Sequence, residues 1–429
     1  MIPLSIVLKM NSLPEFKVIR TICLVALFTV SAASLPLSQL SAVVLNQGTA
    51  DSESADAGST QARYQQELEK TRQLAKACRL VSIRFFDTSL AKSYQWKEKW
   101  NEAAADLSSQ KPIFEKASLD WFFECKQPPP DLIQLAGAIA LQATEEGDLE
   151  LAWKILNKVK QHYSDPDNVD LNMQIALTAI KTNRFEEALS FMRRPDAREA
   201  VEGLKHQVDK NMFILCPLLQ TKWEREKELR QKEAEQDDLP RVKLQLTTGE
   251  VVVELFENEA PETVANFITL VESGFYDGSF CHPVIKGLSM QSGLVYPKRD
   301  NNPDYVIKNE SRLPQRRSHF TGSLTMSSAR DGKDSATSGF GVSLLPNPDL
   351  DWNGEETDEV SQPVFGRVIS GIEHVFAVTP TVEIDPETQK QKVIRDVEAG
   401  AVKAELIEKA TVIRKRDHDY TFEKIPRKN

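Results

Sequence analysis

The sequence predicts an α + β multidomain chain: an all-α region of helical hairpins, followed by an antiparallel β-barrel with two capping helices. Three observations predict it. Residues 63–236 carry helical periodicity and almost no strand signal. From Arg241 onward, short alternating runs are separated by turn residues. The 429 residues call for two or three domains, at about 150 residues each. A hydrophobic content of 41% with 27% charged residues excludes wholesale disorder and a polytopic membrane protein. The net charge is -10, and no basic stretch is interleaved with aromatics, so no nucleic-acid partner is expected.

At the N-terminus, Lys9, Lys17 and Arg20 precede the apolar run Ile22 to Val30, and Ser31 to Ser34 are small. This is the pattern of a secretory signal over residues 1–33, with cleavage after Ala33 or Ala42. The run is shorter than the roughly 20 residues a membrane span needs. An uncleaved signal anchor is the alternative, and only then is a membrane a partner. Met10 is a second possible start. Residues 34–62, rich in Ser, Ala, Asp and Gly, read as a flexible tether. The signal implies export, to a periplasm or cell envelope. Cys23 would leave with it, and Cys78, Cys125, Cys216 and Cys281 remain. Export permits two disulfides, and four buried thiols fit equally well. The wide spacings offer no zinc site, and no cofactor is called for.

The helical region opens with patterns at Arg63 to Leu80 and Leu90 to Asp106. Pro128, Pro129 and Pro130 break the chain, and Asp131 caps the next helix. Gly147 to Trp153 aligns with Asn183 to Leu189 at an offset of 36 residues. Each stretch follows an Ala-rich helix and opens another. The pair resembles tetratricopeptide-type hairpins, which would hold a protein partner on a concave face; a plain helical spacer is the alternative. Residues 222–238 alternate in charge, with Glu226–Arg230 and Glu228–Lys232 as i,i+4 pairs. They read as a solvated connecting helix or as a protein-docking surface.

In the second half, Val242 to Thr247 and Val251 to Phe256 flank the turn Thr248-Gly249, a hairpin. Pro261 opens a helix with Val264, Phe267, Ile268 and Val271 on one face. Strands follow at 282–292, 320–327, 339–345, 363–369 and 408–414, with a second helix over Ile372 to Val378. The run Ala260-Pro261-Glu262-Thr263-Val264-Ala265-Asn266-Phe267 resembles the first helix of cyclophilin-type peptidyl-prolyl isomerases. Gly274 to Gly278, His282, Val284-Ile285, Gly287, Gln291, Pro363 to Val368 and Gly371 continue the resemblance in order over residues 240–416. It implies an eight-stranded antiparallel barrel capped by two helices, over residues 238–417, with a tail at 418–429. It also implies prolyl cis-trans isomerisation, with proline-containing polypeptides as partners.

That chemistry needs no nucleophile, metal or cofactor. The X-Pro barrier is about 18–20 kcal/mol. Lowering it takes an apolar slot for the ring, a donor aimed at the imide nitrogen, and groups that hold the flanking peptide. By the resemblance, the donor is an arginine following His282, and this chain has Pro283 there. Leu288-Ser289 replace an apolar Phe-Met pair, and the slot-facing Phe falls on Gly341. The family's tryptophan falls on Asp349, its late histidine on Gln362, and its peptide-holding asparagine near Ser327 and Ser328. His282, Gln291 and Leu350 are retained. A one-residue slip would bring Phe340 into the slot. Lys286, Arg299 and Arg330 are the nearby cations that could substitute for the donor. Loss of one aimed donor costs about 10²- to 10³-fold in rate, so weak or absent turnover is expected. A peptide-binding scaffold of the envelope is the alternative. Ser89-Leu90-Ala91-Lys92 lacks the supporting motifs of a serine hydrolase, and Asp331 to Asp334 reads as a polar turn.

Overall fold

The computed structural model describes residues 55–85, 94–163, 168–204, 207–293, 303–328, 334–355, 360–385, 390–394 and 405–427. The signal segment 1–33, most of the tether, the Ser89 to Lys92 stretch and the Cys78 side chain lie outside what is described. The described residues form two compact units. One takes residues up to Ala140 together with Ile155–Pro166; the other takes Leu141–Lys154 and everything from Asp167.

In the first unit, α1 (Ala55–Phe85) pairs with α2 (Tyr94–Glu124). It is completed by the start of α3 (Pro130–Glu146) and the end of α4 (Leu149–His162). The Tyr64 ring lies 5.9 Å from Phe114 and 4.6 Å from Trp121. Leu68, Leu107, Phe122, Leu132 and Ala136 are buried in the same unit. Helix α1 begins at Ala55, so the last residues of the predicted tether are helical. Helix α2 runs on past Asp106 and through Pro112 to Glu124. An interior proline costs about 3 kcal/mol. Burial of Phe114, Trp121 and Phe122 beyond it, at about 1.5–3 kcal/mol for a large apolar side chain, offsets that. The triple proline does end α2, but Pro130 itself opens α3 and Asp131 sits inside the first turn, not at the cap.

The second unit joins helices and sheet. Gly147 and Asn183, the aligned positions, both take positive φ, +88° and +58°, in the links between successive helices. Helices α5 (Val169–Lys181), α6 (Phe185–Met192), α7 (Ala197–Glu202) and α8 (Gln207–Gln236) follow. Then come β1 (Arg241–Leu246), β2 (Gly249–Leu255), α9 (Pro261–Glu272), β3 (Ser279–Phe280), β4 (Val284–Ile285), β5 (Ser289–Ser292) and β6 (Tyr305–Val306). After these are β7 (Ser323–Met326), β8 (Phe340–Ser343), β9 (Val364–Ser370), α10 (Ile372–Phe376), β10 (Val382–Ile384), β11 (Gln391–Val393), β12 (Leu406–Arg414) and β13 (Ile425–Pro426).

Eleven strands form one sheet in the order β11-β10-β4-β5-β8-β7-β9-β2-β1-β12-β3. This replaces the expected eight-stranded barrel: short strands at both ends extend the sheet. The sheet is nevertheless curled. Strands β4 and β3 stand eight places apart in the order, about 38 Å if flat at ~4.8 Å per strand. Residues 281–283 alone join them, and that link spans at most about 14 Å. The Ser292 hydroxyl donates to the Phe280 carbonyl (2.9 Å), tying β5 to β3 across the gap. Inside the curl lie Val242, Leu244, Val251, Val253, Val264, Phe267, Ile268, Met290, Leu324, Phe340 and Phe365. Within residues 418–429, β13 pairs with β6.

Helices α5–α8 belong to the same compact unit as the sheet. Phe320, just before β7, lies 5.9 Å from the Phe185 ring and 4.8 Å from Trp223. The Asn183 amide both donates to the Thr321 carbonyl (3.3 Å) and accepts from its N–H (3.2 Å). The charged stretch 222–238 is exposed along much of its length but buries Glu226 and Glu233. Arg317, 1% exposed, forks onto Glu226 at 2.8 and 2.9 Å and reaches Glu233 with Nη1. Arg230 pairs with Glu226 as the spacing predicted (2.8 Å). Glu233 and Glu254 are further held by Arg367 at 3.0 and 2.6 Å.

Candidate functional site

Strand β5 lies between β4 and β8, and β8 between β5 and β7. Gln291 stands opposite Gly341, and Gly341 opposite Thr325; Ser289 stands opposite Ser343. Residues directly opposite share a face, and neighbours along a strand alternate. Ser289, Gln291, Gly341, Ser343 and Thr325 therefore form one face, while Met290, Ser292, Phe340, Val342, Leu324 and Met326 turn to the other.

This register decides the question of Phe340. Its ring is fully buried, 5.3 Å from Phe267 and 5.4 Å from Tyr276, so no slip brings it to the slot. Gly341 holds the position beside Gln291. A Cβ there would meet Gln291 Cγ and the Met290 carbonyl at 3.5 Å, ordinary contact. A Cβ at Gly341 would thus fit without displacing its neighbours.

Pro283 enters β4 after a cis bond from His282. Its carbonyl accepts from Gln291 N–H (2.9 Å), which places the ring across from Gln291. Leu288 is half-buried in the β4–β5 turn; its N–H donates to Ile285 (3.1 Å) and its carbonyl accepts from Leu344 (2.9 Å). His282 Nδ1 lies 2.8 Å from the Thr381 hydroxyl, which also accepts from Val284 N–H (2.9 Å). The imidazole is thereby tied to a buried structural group. Ser327 N–H donates to Gly339 (2.8 Å), extending the β7–β8 ladder, and Ser328 follows half-buried. Leu350 ends a short 3₁₀ turn, Pro348–Leu350, and its carbonyl accepts from Gln362 N–H (3.0 Å). Asp349 is exposed.

Of the three cations considered, Lys286 is exposed and points to Glu145 (3.7 Å). Arg299 and Arg330 lie outside the described residues, as do Asp331 to Lys333 of the polar turn.

Two features were not singled out from the sequence. Thr325 is 4% exposed, and its hydroxyl has no hydrogen-bond partner among the described residues. The alternation Ser323, Thr325 against Leu324, Met326 could have placed it on the face of Gly341. Asp351, next to Leu350, accepts from His319 N–H (3.0 Å) and pairs with its Nδ1 (2.6 Å) and with Lys222 of α8 (2.5 Å). Burial pushes this carboxyl up, but His319 and Lys222 outweigh it and hold it below the usual range. No local motif announces that contact.

Cys125, Cys216 and Cys281 are unbridged thiols. Among the described residues no cluster of His, Cys, Asp and Glu could hold a metal, and no helix is long and apolar enough to cross a membrane.

A curled, mostly antiparallel sheet, in which only the β10–β4 pairing is parallel among the described strands, with α9 and α10 packed against it, has the make-up of a cyclophilin-like fold. Residues 241–399 match the family model described as cyclophilin type peptidyl-prolyl cis-trans isomerase/CLD. The chain is 40% identical to peptidyl-prolyl cis-trans isomerase B of Bacillus subtilis over 125 residues, covering 29% of this chain and 80% of that protein. It is 37% identical to a peptidyl-prolyl cis-trans isomerase of Helicobacter pylori, over 28% of this chain and 68% of that one. With isomerase B of Escherichia coli the identity is 32%, over 30% and 76% of the two chains. A crystal structure of a Cryptosporidium parvum cyclophilin aligns at 20% identity and a TM-score of 0.31, over 42% of this chain and 99% of that one. The chain belongs to the cyclophilin-type peptidyl-prolyl isomerase family. The family match begins at Arg241, so the preceding helices lie outside it.

Proposed function

We propose that this is an exported family member whose face at β4, β5 and β8 binds extended, proline-containing segments of proteins outside the cytoplasm, with weak or no isomerase turnover. The signal-like N-terminus supports export to a periplasm or cell envelope. The observation that carries the reading is the row Gln291–Gly341–Thr325. Gln291 is kept to hold a peptide, the ring's apolar support is missing at Gly341, and Pro283 supplies no side-chain donor. Proline has no N–H either. A missing donor alone costs about 10²- to 10³-fold, and a missing slot floor adds to it.

The test is a protease-coupled or exchange-NMR assay on an Ala-Pro peptide. The rate enhancement should fall at least about two decades below that of an ordinary cyclophilin. Turnover near the family norm would overturn the reading. Pro283→Arg alone should recover little, because Gly341 and Ser289 remain.

A second reading is favoured by one observation. Helices α5–α8 share a compact unit with the sheet. In this reading the tetratricopeptide-like hairpins and the barrel form one non-catalytic assembly scaffold of the envelope. Retention of a partner by the full chain, independent of Gln291, would favour it.

A further inference from the structure

We infer that Asp351 is a positioning residue of the peptide face, and that Lys222 of α8 tunes peptide affinity through it. This rests on the reading that the face binds extended, proline-containing peptide.

The turn Pro348–Leu350 sits at the edge of that face. Val364 stands opposite Thr325, and the Met326 N–H donates to the Pro363 carbonyl (3.1 Å), carrying the β7–β9 pairing one residue before Val364. Residues two apart on an extended chain share a side. Gln362 therefore comes up on the side of Thr325, Gly341 and Gln291. Its N–H donates to the Leu350 carbonyl (3.0 Å), which sets the turn beside that row.

The turn is pinned at both ends to one residue. The Asn347 N–H donates to the His319 carbonyl (3.1 Å). At the other end, Asp351 accepts from the His319 N–H (3.0 Å) and meets its Nδ1 (2.6 Å). His319 is buried, and its Nε2 has no partner among the described residues. The ring proton therefore belongs on Nδ1, where it is donated to Asp351. The second carboxylate oxygen takes Lys222 Nζ (2.5 Å), and the Asp351 side chain is 8% exposed against 26% for Lys222. A carboxylate this buried is costly without a cation beside it. With the ammonium removed, Asp351 is drawn toward water, and Leu350, the residue before it, moves with it. The family match begins at Arg241, so this grip on the turn comes from outside the family's domain.

The experiment titrates the full chain into a fluorescein-labelled, end-blocked Ala-Ala-Pro-Ala-Phe peptide and reads anisotropy, with a urea midpoint for each variant. Lys222→Met should weaken binding about threefold to tenfold, and Lys222→Arg, which keeps the charge, should bind as the wild type does. Asp351→Asn should match Lys222→Met, and the two together should bind as either alone. Leu350→Ala should weaken binding on the same scale. Adding Lys222→Met to Leu350→Ala should cost no further affinity, because the side chain it positions is gone. It should still lower the urea midpoint by as much as in the wild type, which separates positioning from stability. A Lys222→Met variant that binds as the wild type does, or whose loss is repeated in full on Leu350→Ala, overturns the inference and leaves the peptide-binding reading standing. Failure of the wild type to bind the peptide overturns both.

Discussion

Replacing Arg317 by leucine removes a guanidinium that three elements share. It is 1% exposed, and it lies 3.8 Å above the Phe256 ring. It forks onto Glu226 and contacts Glu233, both of α8, with Glu259 at 3.7 Å. Removing one partner of a buried pair costs about 3–5 kcal/mol, because the other charge stays buried and uncompensated. Here the two carboxylates are not fully stranded. Glu226 keeps Arg230 at 2.8 Å, and Glu233 keeps Arg367 at 3.0 Å. The loss should therefore fall near the lower bound, about 3 kcal/mol, which is still a large share of the roughly 5–15 kcal/mol that holds a typical domain. Adding Glu233→Gln should recover part of it, since Arg367 keeps Glu254 and Glu226 keeps Arg230. The assay is equilibrium urea unfolding at neutral pH, read by tryptophan emission; Trp223 packs against Phe320, three residues from the lost cation. The effect should persist at high salt, because buried pairs are little screened. A loss below about 1 kcal/mol, the range of an exposed pair, would refute the claim that this cation locks the helices to the sheet.

Glu259 is pushed up first by burial, with Glu233 and Glu226 adding to it against the pull of Arg317. Its folded state holds the proton more tightly than the unfolded chain, so its contribution is lost as pH rises above 4.5 through the raised value. Glu259→Gln should accordingly raise the melting temperature at pH 7 and give no gain at pH 4; calorimetry at the two values checks it. Burial pushes the Cys216 and Cys281 thiols up to about 12, so iodoacetamide at pH 8 should leave both unlabelled in the native chain and label both in urea, by peptide mass spectrometry. Gly371 precedes α10 at φ +82°, where a Cβ would strike the Glu250 carbonyl. Gly371→Ala should cost at least about 1–2 kcal/mol for the left-handed backbone alone, read as a lowered urea midpoint.

Much of the second half was legible because its signals are local. Thr248-Gly249 turns the first hairpin, Pro261 opens α9, and period-2 alternation places Gln291 and Gly341 in strands. The aligned positions Gly147 and Asn183 both take positive φ between helices. Export and the role of the N-terminal segment remain readings of composition. The site was legible as a set of substitutions, and less so as a surface. Which strand faces which decides whether Phe340 or Gly341 fills the slot, and register depends on partners far along the chain.

Local patterning of apolar, turn and capping residues determined the element types and the change from helix to strand near Arg241. Only tertiary packing decided the strand count, the burial of Glu226 and Glu233, the pairing of Thr325 with Gly341 and the fusion of α5–α8 with the sheet. The reason is distance along the chain. Arg317 and Glu226 are 91 positions apart, and Asn183 and Thr321 are 138 apart. A charged residue on a helix carries the same local signal whether water or a guanidinium meets it.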